Sequence, residues 1–140
     1  VIPGLIELHT DNHEKYFEPR PGVNWPHMDA LIAHDAQLAT AGITTVFDAI
    51  AIGYGVGASN ANRERIAAQS IDTLLEIRHQ GVFRVDHHIH LRCECSCEGT
   101  SAYFEPWAGV DGIDLVSLMD HAPGQRQFAS IDKYIEYYKN

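Results

Sequence analysis

Apolar runs and helix-period segments take turns along this chain, and that alternation limits the fold more than any other property of the sequence. Val1 to Leu8 is mostly apolar and ends in His9-Thr10-Asp11-Asn12. Ile43 to Ile52 is a second apolar, β-branched run, closed by Gly53; both predict buried strands. Between them Met28, Leu31, Ile32 and Leu38 fall near helical spacing within Met28 to Ala41, with Pro26 before the segment and Gly42 as its stop. The unit then repeats. Ser59 or Asn60 can cap a helix in which Ile66, Ile71, Leu74, Leu75 and Ile77 face the core, and Gly81 ends it. From Val82 to Glu94, Phe83, Val85, His87, Ile89, Leu91 and Cys93 share one strand face, and Arg84, Asp86, His88, His90, Arg92 and Glu94 share the other. Ile113 to His121 predicts a fourth strand, and Ser130 caps a last helix, Ile131 to Lys139.

Strands separated by helical segments pair in parallel through right-handed crossovers, which gives an α/β fold. An open doubly wound sheet and part of a (β/α)8 barrel both satisfy the pattern. A whole barrel takes about 250 residues. The 140 residues here, with four strands, correspond to one partial barrel domain, residues 1–140, or about half of a TIM-type barrel. A start at Val1 rather than Met suggests that an upstream stretch has been removed.

Charge and cysteine content narrow the function classes. Ten Lys and Arg against nineteen Asp and Glu leave a formal charge of -9, and no basic run is present to neutralise a phosphate backbone. Nucleic acid and anionic membrane are therefore excluded as expected partners. No stretch approaches the roughly 18–20 consecutive apolar residues of a membrane span, and no signal-peptide pattern opens the chain, so a cytoplasmic protein is expected. Cys93, Cys95 and Cys97 are odd in number and lack the Cys-x-x-Cys turn of a structural zinc site, which favours free thiols.

The unusual polar residues gather at the predicted carboxyl ends of the strands, where parallel α/β folds place their sites. Glu7, His9 and Asp11 share a face on strand one. Asp48 lies near the end of strand two, His90 to Glu94 end strand three, and Asp120-His121 end strand four. His9, Asp11, Glu94 and His121 together make a nitrogen and oxygen donor set suited to Zn²⁺ or Mn²⁺. Alternatively, His9 and His121 are core or loop histidines bonded to nearby carboxylates. His90 is a candidate neighbour to the ligands, and Asp48 is either that or a hydrogen-bond acceptor on the helix side. His13, His27, His34 and His79 are expected in surface or packing roles, and His87 faces away from Glu94. Arg92, and Arg126 in the Gly-containing loop after strand four, are suited to holding phosphate oxygens, with a surface salt bridge as the alternative for Arg126. Arg63 is read as an exposed helix residue.

The segment Val1-Ile2-Pro3-Gly4-Leu5-Ile6-Glu7-Leu8-His9-Thr10-Asp11 resembles the first strand of the amidohydrolase superfamily, with Asp11 standing where a second His is usual. His9-Thr10-Asp11-Asn12, Pro19-Arg20-Pro21, His34-Asp35-Ala36, Gly42-Ile43-Thr44-Thr45-Val46, His90-Leu91-Arg92-Cys93-Glu94 and the run Leu115 to Phe128 resemble one branch of it. That branch comprises the alpha-D-ribose 1-methylphosphonate 5-triphosphate diphosphatases of phosphonate degradation. The resemblance implies a metal-dependent hydrolase that cleaves a triphosphate arm and releases pyrophosphate from a phosphorylated sugar. It matches His9 and Asp11 to the first-strand ligands, Glu94 to a carboxylate ligand and His121 to a mid-barrel ligand. It also implies four further strands carrying another His ligand and an Asp for proton transfer, so the chain resembles the front half of such an enzyme.

Two other readings compete with the diphosphatase: an amidohydrolase acting on a C–N bond, of deacetylase or deaminase type, and a non-catalytic fragment. The open edges of a half-barrel favour association, so a homo-oligomer is an expected form.

Overall fold

The computed structural model describes residues 1–20, 22–53, 60–122 and 130–139, with backbone alone at 60–62, 134 and 137–139. Its strands are β1 (Leu5–Thr10), β2 (Ile43–Ile52), β3 (Asp86–Glu94) and β4 (Ile113–Met119). They form one sheet in the order β1-β2-β3-β4, and each neighbouring pair is parallel. Parallel neighbours need long crossovers. Helices α1 (Glu14–Phe17) and α2 (His27–Thr40) lie between β1 and β2, and α3 (Asn60–Gln80) lies between β2 and β3. Helix α4 (Thr100–Phe104) and a 3₁₀ turn, Glu105–Trp107, precede β4, and α5 (Ile131–Lys139) follows it. Every connection within the sheet thus contains helix and joins two parallel strands.

β2 falls where its apolar run predicts, and the other three strands are displaced at their ends. β1 begins at Leu5 and continues to Thr10, and β4 stops at Met119. β3 begins at Asp86, not Val82, for a physical reason. The main-chain N–H groups of Arg84 and Val85 donate to Oδ1 of Asp35 on α2, at 2.9 and 3.0 Å, so a side chain takes the place of ladder partners there. Gly42, at φ +82°, ends α2 in the left-handed region that side chains disfavour.

Side-chain alternation divides the sheet into two faces. Ile50 and Ile52 of β2 and Ile89, Leu91 and Cys93 of β3 pack with Leu31 of α2 and with Ile71, Leu74 and Ile77 of α3. Full burial of each such side chain contributes about 1.5–3 kcal/mol. The opposite face carries His88, His90, Arg92 and Glu94, and Phe47 of β2 stacks on His88 there at 4.8 Å between ring centroids. The outer strands are less covered: Ile6 and Leu8 of β1 and Val116 and Leu118 of β4 are exposed. Among the described residues no helix is long and apolar enough to cross a membrane.

Candidate active site at the carboxyl edge of the sheet

Because all four strands run the same way, their carboxyl ends share one edge. His9 stands in the last turn of β1's ladder and Asp11 just beyond it, Glu94 closes β3, and His121 lies two residues past β4. The predicted donors are therefore on one rim. Their contacts divide them into smaller groups.

Glu94 and His121 form the tightest of these. Glu94 Oε2 accepts a hydrogen bond from His121 Nδ1, and Oε1 accepts from the His121 main-chain N–H at 3.2 Å. Oε1 also takes the Ser96 hydroxyl at 2.6 Å and the Ser96 N–H at 3.2 Å. Burial of Glu94 would raise its pKa, but the donors from Ser96 and His121 outweigh it and hold the carboxyl below its ordinary range. The Glu94 carbonyl accepts from the Thr100 hydroxyl at 2.6 Å. Thr100 can come that close because Gly53 has no side chain: a Cβ on Gly53 would stand 2.0 Å from Thr100 Oγ1.

Asp11 and Arg92 make a second pair, with Nη1 to Oδ2 at 3.4 Å. Arg92 rises from β3 on the same face as Glu94. The guanidinium predicted to hold an anion thus stands at the mouth, facing a carboxylate. His9 makes a third contact, edge-on to His90 at 5.1 Å between ring centroids, and His90 Nε2 is 2.7 Å from Ser117 Oγ. Burial first, and then the charges of His9 and Arg92, lower the His90 pKa.

Two imidazoles and two carboxylates suit zinc or manganese by donor chemistry. Their spacing is wider: among the described residues no group of three or more His, Cys, Asp or Glu stands close enough to hold a metal ion. Arg126, its loop and the Ser59 cap lie outside the described residues. Cys93 is buried on the helix side and Cys95 is exposed.

A buried polar network lies on the other face of the sheet, where Asp48 takes the second of its two expected roles, a hydrogen-bond acceptor on the helix side. Asp48 of β2 points to the helices, where Oδ1 lies 3.1 Å from His34 Nε2 and Oδ2 lies 2.6 Å from His87 Nδ1. His87 Nε2 lies 3.4 Å from Asp35, which also binds the Arg84 guanidinium at 2.7 Å. Burial would raise the Asp48 pKa, but hydrogen bonds from His34 and His87 hold it far below the ordinary carboxylate range. His13, also buried, packs against His34 at 6.1 Å, and burial lowers its pKa to about 4. A usable signal existed in α2, where Leu31, His34, Asp35 and Leu38 occupy positions i, i+3, i+4 and i+7 of one buried stripe.

No known protein-family model matches the chain, and no solved structure matches it. One curated protein does: "Alpha-D-ribose 1-methylphosphonate 5-triphosphate diphosphatase" of Escherichia coli (strain K12), 48% identical over 139 residues. The match takes in 99% of this chain and 36% of that protein, so the chain spans about a third of the relative's length. Over nearly all of its own residues, then, the chain is similar to a diphosphatase, in keeping with the resemblance carried by its strand-end motifs.

Proposed function

We propose that the protein carrying this sequence is a metal-dependent hydrolase of phosphonate metabolism, acting on the triphosphate arm of alpha-D-ribose 1-methylphosphonate 5-triphosphate and releasing pyrophosphate. The observation that carries this reading is the 48% identity over 99% of the chain to a protein of that name. The parallel β1-β2-β3-β4 sheet supports half of a TIM-type barrel as its frame, with chemistry at the carboxyl edge. His9, Asp11, Glu94 and His121 are the proposed holders of a divalent ion, zinc or manganese, and would have to draw closer than they stand here to do so. When bound, such an ion supplies a water acidified toward neutral pH and a positive charge beside a phosphoryl oxygen.

The chain's own residues have definite parts in this reading. Glu94 receives the Nδ1–H of His121, which leaves Nε2 with its lone pair available as a donor to metal or an acceptor of a proton. Arg92 faces Asp11 at 3.4 Å and would offer its remaining guanidinium N–H groups to a phosphate oxygen at the same rim. Arg126 has the same phosphate role in the proposal. A cytoplasmic setting fits such a substrate.

The test is turnover by the intact gene product. Incubated with Mn²⁺ or Zn²⁺ and the ribose triphosphate, it should release pyrophosphate; N-acetylated sugars and aminated bases should be left intact. Hydrolysis of those C–N bonds without pyrophosphate release would overturn the proposal.

A further inference from the structure

We infer that Ala49 of β2 is a positioning residue of the candidate site: its small side chain lets His90 and Arg92 of β3 lean across β2 and meet His9 and Asp11 of β1. The inference rests on the diphosphatase reading for what the assembled site does, and adds to it the residue that lets the site assemble.

Strand order is the first support. β2 lies between β1 and β3, so those two are about 10 Å apart, twice the spacing of neighbouring strands. Two pairs of side chains join them all the same. His90 meets His9 edge-on at 5.1 Å between ring centroids, and Arg92 Nη1 stands 3.4 Å from Asp11 Oδ2. Both contacts pass over whatever β2 presents on that face.

Register shows what β2 presents. Ala49 pairs with His90 and Ala51 with Arg92, so the two alanines share the face of the side chains that cross. Asp48 and Ile50, on either side of Ala49 in the chain, face the helices. On β1 the last paired residue, Thr10, is level with Asp48, so His9 and Asp11 flank that level and both crossings run past Ala49. Ala49 is fully buried on the face opposite α2 and α3, as a residue roofed by crossing side chains must be.

The same strands supply a contrast one step earlier. Phe47 of β2 pairs with His88 of β3, and there the β3 side chain does not cross. His88 stacks on the Phe47 ring at 4.8 Å, and its ring nitrogens lie 3.2 Å from carboxylate oxygens of Asp86 and Asp114, on β3 and β4. A large side chain on β2 thus keeps its β3 neighbour on its own side of the sheet. A small one lets it through.

The test enlarges Ala49 in the intact gene product. Ala49→Val suits a strand but branches at Cβ, and it should lower kcat/KM for the ribose triphosphate by about tenfold or more. Ala49→Ser should stay near wild type, and so should Ile50→Val, a change on the helix side of the same strand. Ala51→Val, at a less buried position beside Arg92, should also lower kcat/KM, and it serves as the second variant where Ala49→Val fails to fold. With His90→Ala and Arg92→Ala already in place, Ala49→Val should cost little more, because no side chain is left to cross. An equal fold loss in both backgrounds, or wild-type kinetics for both Val variants, would overturn the inference.

A readout without substrate separates the inference from the diphosphatase reading. In the gene product labelled with ¹³C-histidine, His9→Ala should shift the His90 ring resonance in the wild-type background and not beside Ala49→Val. That pattern in a protein that leaves the triphosphate intact would keep the role of Ala49 and remove the diphosphatase reading. Triphosphate hydrolysis with the same His90 shift in both backgrounds would do the reverse.

Discussion

Glu94 takes both the ring N–H and the main-chain N–H of His121, so the last residue of β3 fixes the first turn of chain beyond β4. The bond carries the pairing of β3 with β4 past the end of the ladder, and it sets which ring nitrogen His121 presents.

Glu94→Ala should therefore lower stability by about 1–3 kcal/mol, because Ser96 and His121 donors lose a buried acceptor. Glu94→Gln should cost less, since its amide oxygen can still accept. Urea unfolding monitored by circular dichroism measures both, and equal stability of the Ala variant and wild type would show that the pair does not hold the rim.

Metal affinity separates the proposed donors. In the intact gene product, His9→Ala, Asp11→Asn, Glu94→Gln and His121→Ala should each weaken Zn²⁺ or Mn²⁺ binding measured by calorimetry. Undiminished binding in all four would remove this ligand set.

Acid should destabilise the fold through His13. Its pKa is about 4 when folded, against 6.5 for the unperturbed side chain, so between these values the unfolded chain binds the proton first. Stability falls as pH drops from 6.5 toward 4, then this contribution levels off; the total is on the order of 3 kcal/mol. Urea midpoints across this range should change less steeply in His13→Phe than in wild type.

Asp48→Ala should be among the most costly single changes, about 3–5 kcal/mol, since it strands His34 and His87 in a dry interior. Asp48→Asn should recover part of the loss by keeping one acceptor. A thermal midpoint for the Ala variant equal to wild type would mean that both imidazoles find other partners.

Gly53→Ala combines two penalties, a side chain at φ +77° and a Cβ placed 2.0 Å from Thr100 Oγ1. The loss should reach about 1–3 kcal/mol. Substituting Thr100→Ala in the same chain should relieve the second penalty and not the first, which thermal unfolding of the single and double variants can separate.

These residues also show what the sequence could and could not disclose. β2 was legible over its full length, and β3 was legible by strict alternation as far as Asp86, where a side chain on α2 replaces the ladder. The rim placement of His9, Asp11, Glu94 and His121 followed from parallel pairing. For Asp48 the sequence left two roles open, and only the packing of α2 against the sheet, which brings His34 to it beside His87 of β3, decides for the acceptor on the helix side. Short elements such as α1 and α4 were invisible for another reason: four or five residues are too few to establish a helical period. Arg63 reads as an ordinary exposed helix residue, and only the fold brings it into the wall of a cavity that Glu14 and Phe17 of α1 also line.

The unbroken strand order has a consequence for synthesis. In a β1-β2-β3-β4 sheet each new strand joins the strand made just before it, and none must insert between two that are already paired. Assembly can follow the ribosome, one strand and one crossover at a time, with the newest edge as the only growing front. A chain built this way closes each loop while it is short, and the earlier strands serve as template for the later ones.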